Sequence, residues 1–307
     1  MAGRGTVQLL TGLLGLLLCL PTALLAQKHK DVENIGERDI NEGSWNLYSL
    51  EKEISLGRQL AQQVEASSHL FRDPMVHAYV DDLVQRLARN SDAQLPFSVK
   101  VIDSDELNAF ALPGGFLYVN TGLILEARTE AELAGILAHE IAHVTARHLT
   151  KQQTKATLFQ WFTLPLVFVG GPVGLGIQQA IGLAVPLTFL KFQRNYEREA
   201  DFLGLQYTYR AGYDPVALID ILERLKESEQ GEESRLAKIF SSHPMTRDRI
   251  ERAQKSIAEV LPPRAEFVVS TSNFEAVQAR LRQLQQANWI FEPGEEGGPS
   301  LRRRTQD

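Results

Sequence analysis

The sequence predicts an α+β fold, mostly helical with one small β-sheet. Apolar residues recur at spacings of three and four along most of the chain, the signature of amphipathic helices. Two short runs near residues 97–119 alternate apolar and polar residues instead, as strands do. A helical stretch over 130–149 is apolar almost all round, which marks a buried helix. With 307 residues, 44% hydrophobic and 23% charged, the chain has enough apolar surface for one large domain or two modest ones.

Residues 1–26 carry Arg4, a mostly apolar run from Leu9 to Leu20 and small residues at Ala23 and Ala26. This is the pattern of a secretory signal peptide cleaved near Ala26, with an uncleaved anchor as the alternative, and it predicts a periplasmic or otherwise extracytoplasmic location, with membrane association as an alternative. Residues 27–46 are polar and aperiodic and read as an arm. The first helix spans 47–66 on Leu47, Leu50, Ile54, Gly57, Ala61 and Val64. A second follows Asp73-Pro74, a favourable cap and first position. Phe97–Ile102 and Gly115–Val119 are the strands, separated by the Pro113-Gly114 turn signal. Thr129 with Glu132 forms a capping box that starts the buried helix.

Between Ala156 and Leu190 there is no charged residue, but Gly170, Gly171, Gly174, Gly176, Gly182, Pro165, Pro172 and Pro186 interrupt the run. Two short buried helices, an apolar wall over the active site, and a hairpin touching the membrane surface all fit this composition. Further helices span 193–211, 215–229 and 246–259. After Pro262-Pro263, residues 264–290 form an appendix of a strand at Phe267-Val268-Val269 and a helix over 274–287, and 291–307 form a disordered tail.

A formal charge of −6 and a pI near 5.7 leave no basic footprint for nucleic acid. Cys19 is the only cysteine. The mature chain therefore has no disulfide, no thiol nucleophile and no cysteine metal ligand.

The chemistry is concentrated in His139-Glu140-Ile141-Ala142-His143. Each residue of a helix turns by about 100°, so positions four apart lie on one face and present two imidazoles to one ion. Glu140 stands beside them, placed to act as general base. Two imidazoles and a carboxylate on a buried helix need partners to offset desolvation, and a zinc ion supplies them. Catalytic zinc usually takes three protein ligands, and Glu197-Arg198-Glu199-Ala200-Asp201 is the candidate for the third. Its four-residue spacing allows a ligand, Glu197, and a carboxylate that orients a ligating histidine, Asp201. A solvated acidic patch at a helix start is the alternative. His148 falls about 180° round a continuous helix from His139, so it should lie outside the metal's ligands, in a hydrogen-bonded structural role.

Together, Asn108–Gly115, the metal helix through His148, Glu197–Asp201, Ser242-His243-Pro244 and Arg249-Ile250 resemble metallopeptidase family 48 over about residues 47–260. The resemblance implies a zincin-type zinc metalloendopeptidase domain with one zinc ion held by His139, His143 and Glu197. It further implies Glu140 as general base, Asp201 behind the ligands, and His243 near the metal, where it could cover the open position. A surface histidine is the alternative for His243. Arg249 could stabilise an oxyanion or pair with an acid. Polypeptide substrates are expected along a sheet edge near Gly115–Val119, with Asn108, Gly115 and Phe116 as substrate-binding residues. The rival expectation is a latent peptidase fold that serves as a periplasmic chaperone or assembly factor for outer-membrane proteins.

Overall fold

The computed structural model describes residues 32–167, 194–228, 243, 247–287, 289–293 and 299–303. The signal segment and the part of the uncharged stretch beyond residue 167 lie outside the described residues. The helices are α1 (Leu50–Ser67), α2 (Pro74–Arg89), α3 (Thr121–Glu126), α4 (Glu130–Thr145), α5 (His148–Val167), α6 (Arg194–Arg210), α7 (Val216–Ser228), α8 (Arg247–Val260) and α9 (Ser272–Ala287). The strands are β1 (Ser98–Ile102), β2 (Ala109–Leu112), β3 (Phe116–Asn120), β4 (Trp289–Pro293) and β5 (Pro299–Arg303).

Caps set the helix starts. Asp73 Oδ1 accepts from Met75 N at 3.1 Å and Val76 N at 3.2 Å, with Pro74 as the first residue of α2. Thr129 Oγ1 accepts from Glu132 N at 3.2 Å and opens α4. The reciprocal half of the predicted capping box is displaced by one residue: Glu132 Oε2 accepts from Arg128 N at 2.7 Å.

Every residue of α4 is buried. It packs most extensively against α6, and also against α7, α2 and β2. The three-stranded sheet has the order β1-β3-β2, with β1 parallel and β2 antiparallel to β3. Its side chains alternate between two layers. Val99, Val101, Ala109, Ala111, Leu117 and Val119 join the main core. Ile102, Leu112 and Tyr118 face Ala61 and Val64 of α1.

This order corrects the expected substrate edge. Gly115 and Phe116 lead into β3, the central strand, so their backbone faces partners on both sides. Gly115 has φ 87°, and a Cβ there would lie 2.3 Å from the Pro96 carbonyl oxygen. Its glycine identity serves the turn between β2 and β3. The free edge on this side is β2, a strand not predicted from the sequence.

Three other segments depart from expectation. Residues 32–46 are not a loose arm. Val32 and Ile35 enter the core, Gly36 N donates to Asp92 Oδ1 at 2.7 Å, and Asn41 Nδ2 donates to Thr145 O at 2.9 Å. Specific partners tie down a composition that looks like linker. Phe267–Val269 is not a strand: its partner Tyr213 follows a helix end, so only a single bridge forms, to Val268. Across the junction of the expected appendix and disordered tail, Trp289–Pro293 pairs antiparallel with Pro299–Arg303. Strand pairing uses main-chain N–H and C=O groups, which polar composition does not remove.

The appendix is built into the domain. Thr271 N donates to Glu130 Oε2 at 3.1 Å, at the start of α4. Gln278 Nε2 donates to Ile124 O at 2.8 Å and Ala127 O at 2.7 Å.

Candidate metal centre

His139 and His143, one turn apart on α4, bring their Nε2 atoms to 3.0 Å from each other. Helix α6 approaches this turn closely because of Gly204: a Cβ there would meet His139 Cα and N at 3.1 Å. About two turns before Gly204, Glu197 therefore faces both imidazoles. Its Oε2 lies 3.6 Å from His139 Nε2 and its Oε1 3.5 Å from His143 Nε2.

Asp201, one turn after Glu197, lies 3.1 Å from His139 Nδ1. In the neutral imidazole that contact places the hydrogen on Nδ1 and leaves a lone pair on Nε2. Arg249 of α8 grips Asp201 twice, Nε to Oδ2 and Nη2 to Oδ1, each at 2.7 Å. Its Nη1 donates to His243 O at 3.2 Å. The same Nη1 is 2.9 Å from Glu197 Oε2, within ion-pair distance but outside hydrogen-bond geometry. Glu197 Oε2 is thus buried and faces the imidazoles without a hydrogen bond.

Glu140 Oε2 accepts from Ala111 N, on the outer edge of β2, at 3.1 Å. Glu140 Oε1 is 3.4 Å from His243 Nε2, while His243 Nδ1 is 2.9 Å from Glu197 Oε1. His243 thus bridges Glu140 and Glu197.

The electrostatics follow from burial and neighbours. Burial works against a charged His139, but the Asp201 carboxylate on its Nδ1 and the nearby Glu197 carboxylate reverse that and raise its pKa to about 9. Burial pushes His143 well below its ordinary value. For Glu197 burial acts upward, yet His243 and His139 hold it well below the usual carboxylate range. Burial raises Glu140.

The residues fit a metal ion on two counts. Ligand atoms bonded to tetrahedral zinc at about 2.0–2.1 Å lie roughly 3.3–3.4 Å apart, and the separations of 3.0, 3.5 and 3.6 Å bracket that value. Within this cluster, three buried carboxylates (Glu140, Glu197 and Asp201) face one guanidinium, Arg249. Once a bound cation has displaced the His139 proton and the carboxylates are ionised, three minus one leaves two negative charges, which a divalent cation would balance. His139, His143, Glu197 and His243 each offer a donor atom, all within 4.8 Å of one another.

The structure thus gathers His139, Glu140, His143, Glu197, Asp201, His243 and Arg249, but not Gly115 or Phe116. Asn108 precedes β2: its carbonyl accepts from Asn120 N at 2.9 Å, and its Oδ1 is buried without a hydrogen-bond partner. Sequence reasoning missed Ala111, which no residue-type signal distinguishes. His148 lies outside the donor cluster and is hydrogen-bonded, as expected, but not by way of a continuous helix. The helix stops at Ala146, and Arg147 takes φ 56°. His148 is thereby turned back until its Nδ1 lies 2.9 Å from His143 Nδ1. A glycine at 147 would have signalled that break; arginine does not.

A family model described as Peptidase family M48 matches residues 74–257. Beta-barrel assembly-enhancing protease of Escherichia coli (strain K12) is 30% identical over 254 residues, covering 79% of this chain and 50% of that protein. Mitochondrial metalloendopeptidase OMA1 of Schizosaccharomyces pombe is 28% identical over 213 residues, 69% of this chain and 60% of that protein. The Arabidopsis thaliana protein of the same description is 32% identical over 166 residues, 54% and 33% respectively. The chain spans about half the length of the bacterial relatives it matches.

Proposed function

The chain belongs to peptidase family M48, and from that membership we propose that it is a zinc-dependent metalloendopeptidase of periplasmic protein quality control, acting on misfolded or envelope proteins. The observation that carries this reading is the tetrahedral spacing of His139 Nε2, His143 Nε2 and the Glu197 carboxylate beside the Glu140 carboxylate. The extracytoplasmic location rests on the signal-like leader, and the periplasm on the absence of cysteine beyond it. Among the described residues no helix is long and apolar enough to cross a membrane. A membrane-surface contact through 156–190 remains part of the proposal.

His139, His143 and Glu197 hold the zinc, which when bound supplies Lewis-acid chemistry, polarising a peptide carbonyl and making water more acidic. Glu140 takes the proton from the attacking water and returns it to the leaving amine. Its burial suits this role by raising its affinity for a proton. Asp201 keeps His139 in the ligating tautomer, and Arg249 clamps Asp201. The guanidinium is committed to carboxylates, which favours pairing over oxyanion stabilisation.

An extended peptide would lie along β2. Phe110 pairs with β3, so the neighbouring Ala109 and Ala111 turn their main-chain groups outward, and Ala111 N already meets Glu140. Backbone pairing gives affinity with loose sequence preference. His243, bridging Glu140 and Glu197, stands where water and carbonyl must meet, and it acts as a latch.

Casein cleavage by wild type, Glu140→Gln and His243→Ala, with zinc content measured on each, tests this reading. Glu140→Gln should keep zinc and lose about 10²–10⁴ in rate, and His243→Ala should cleave faster than wild type. Zinc-free wild type would overturn the metallopeptidase reading. The closure by His243 also favours a second reading, a chaperone or assembly factor that rarely cleaves. Rescue of a deletion strain by Glu140→Gln would select it.

A further inference from the structure

We infer that His148 is a positioning residue: it accepts a hydrogen bond from His143 Nδ1–H and so fixes the tautomer that points a lone pair from His143 Nε2 into the donor cluster. The inference rests on the proposal above that His143 holds zinc. His143 Nδ1 and His148 Nδ1 face each other at 2.9 Å, with ring planes 75° apart. One of these two nitrogens must carry the hydrogen, and the far side of His148 decides which. Its Nε2 lies 3.2 Å from the Glu199 carboxylate oxygen Oε2. An ionised carboxylate only accepts, so the His148 hydrogen sits on Nε2 and its Nδ1 carries a lone pair. The shared hydrogen therefore belongs to His143 Nδ1, and the ligating lone pair falls on His143 Nε2.

The chain Glu199, His148, His143 does for one imidazole what Asp201 does for the other. It is also held rigidly. His148 is fully buried and stacks on Tyr196 with ring centroids 4.7 Å apart. The left-handed turn at Arg147 presents His148 to His143; a continued helix would carry it to the opposite face.

Such partners are worth roughly 10–100-fold in metal affinity. The test measures zinc affinity by competition with a chromophoric chelator for wild type, His148→Phe and His148→Asn, together with the melting temperature of each metal-free protein. Phenylalanine keeps a ring against Tyr196 but offers no acceptor. Asparagine loses the ring but can place its amide oxygen near the former Nδ1. Positioning predicts that His148→Phe loses about 10–100-fold in affinity while His148→Asn keeps most of it. A packing role predicts the reverse order, and either that order or equal affinities would overturn the inference. If His148→Phe does not fold, ¹⁵N imidazole spectra of zinc-loaded wild type decide the matter. Hydrogen on His148 Nε2 supports the inference, and hydrogen on His148 Nδ1 overturns it. Wild type that takes up no zinc removes the underlying reading and this inference with it, a failure distinct from a reversed order.

Discussion

Arg147 is where the chain leaves the metal helix, and its substitution has a sign opposite to the usual one. A left-handed backbone costs a non-glycine residue about 1–2 kcal/mol. At φ 56°, Arg147 bears that cost. Its side chain offsets it: Nε lies 2.6 Å from Glu53 Oε2, and Nη2 donates to Tyr48 O at 2.7 Å. The Glu53 side chain is only 2% exposed, whereas that of Arg147 is 21% exposed. Removing one partner of a buried pair costs about 3–5 kcal/mol, and the partial exposure of Arg147 points to the lower end, about 3. Arg147→Ala loses the pair and keeps the backbone cost. Arg147→Gly loses the pair but recovers about 1–2 kcal/mol, less roughly 0.4–1 for the freer unfolded chain. The expected order is wild type, then glycine, then alanine, with glycine ahead of alanine by roughly 1 kcal/mol. Urea titrations of the metal-free proteins should show that gap as a midpoint shift of about 0.3–0.5 M at unchanged slope. Alanine equal to or above glycine would refute a left-handed turn at this position, and with it the account of how His148 reaches His143.

Gly204→Ala should force α6 away from the His139 backbone. A stability loss of about 1–3 kcal/mol is expected from overpacking, together with weaker zinc binding in the chelator assay; unchanged affinity would detach Glu197 from the site. Ala111→Pro deletes the N–H that Glu140 accepts and leaves the Phe110–Tyr118 pairing in place. Casein cleavage should fall while zinc content holds, and full activity would move the substrate away from β2. Asp73 caps α2 and pairs with Arg280 at 3.0 Å. Burial alone would raise its pKa, but the Val76 and Met75 amides and Arg280 together lower it below the ordinary value. A lowered folded-state pKa contributes stability above the unfolded value of about 3.9 that is lost as pH falls below it. The metal-free wild type should therefore lose more stability between roughly pH 5 and 3 than Asp73→Asn does; parallel losses would exclude the cap.

How much of this was legible depends on whether a feature is local. The start of α4 was readable because Thr129 and Glu132 act within one turn, and its burial because nearly every residue around it is apolar. The His139–His143 pair was readable for the same reason, since helix geometry alone sets the spacing of residues four apart. The mistakes lie where a tertiary offset decides. Strand β2 is four residues of low β signal, recognisable only through its ladder to β3, and missing it turned a central strand into an edge. Residues 32–46 look like linker until Asp92 and Thr145 are seen to receive them.

The metal centre shows why these two kinds of information have to meet. His139 and His143 come from one helix, but their third partner comes from a second helix, whose offset depends on Gly204, a residue that touches no donor group and reads as an ordinary helix weakener. The tautomers depend on residues further out still. Asp201 is held by Arg249 across forty-eight positions of sequence, and His148 is turned inward by a backbone conformation that arginine does not announce. A ligand motif therefore states which side chains could bind a cation, while the protonation that lets them bind is set by contacts between elements. Substitutions at Gly204, Arg147 and His148 should for that reason change metal affinity while every proposed ligand remains in place.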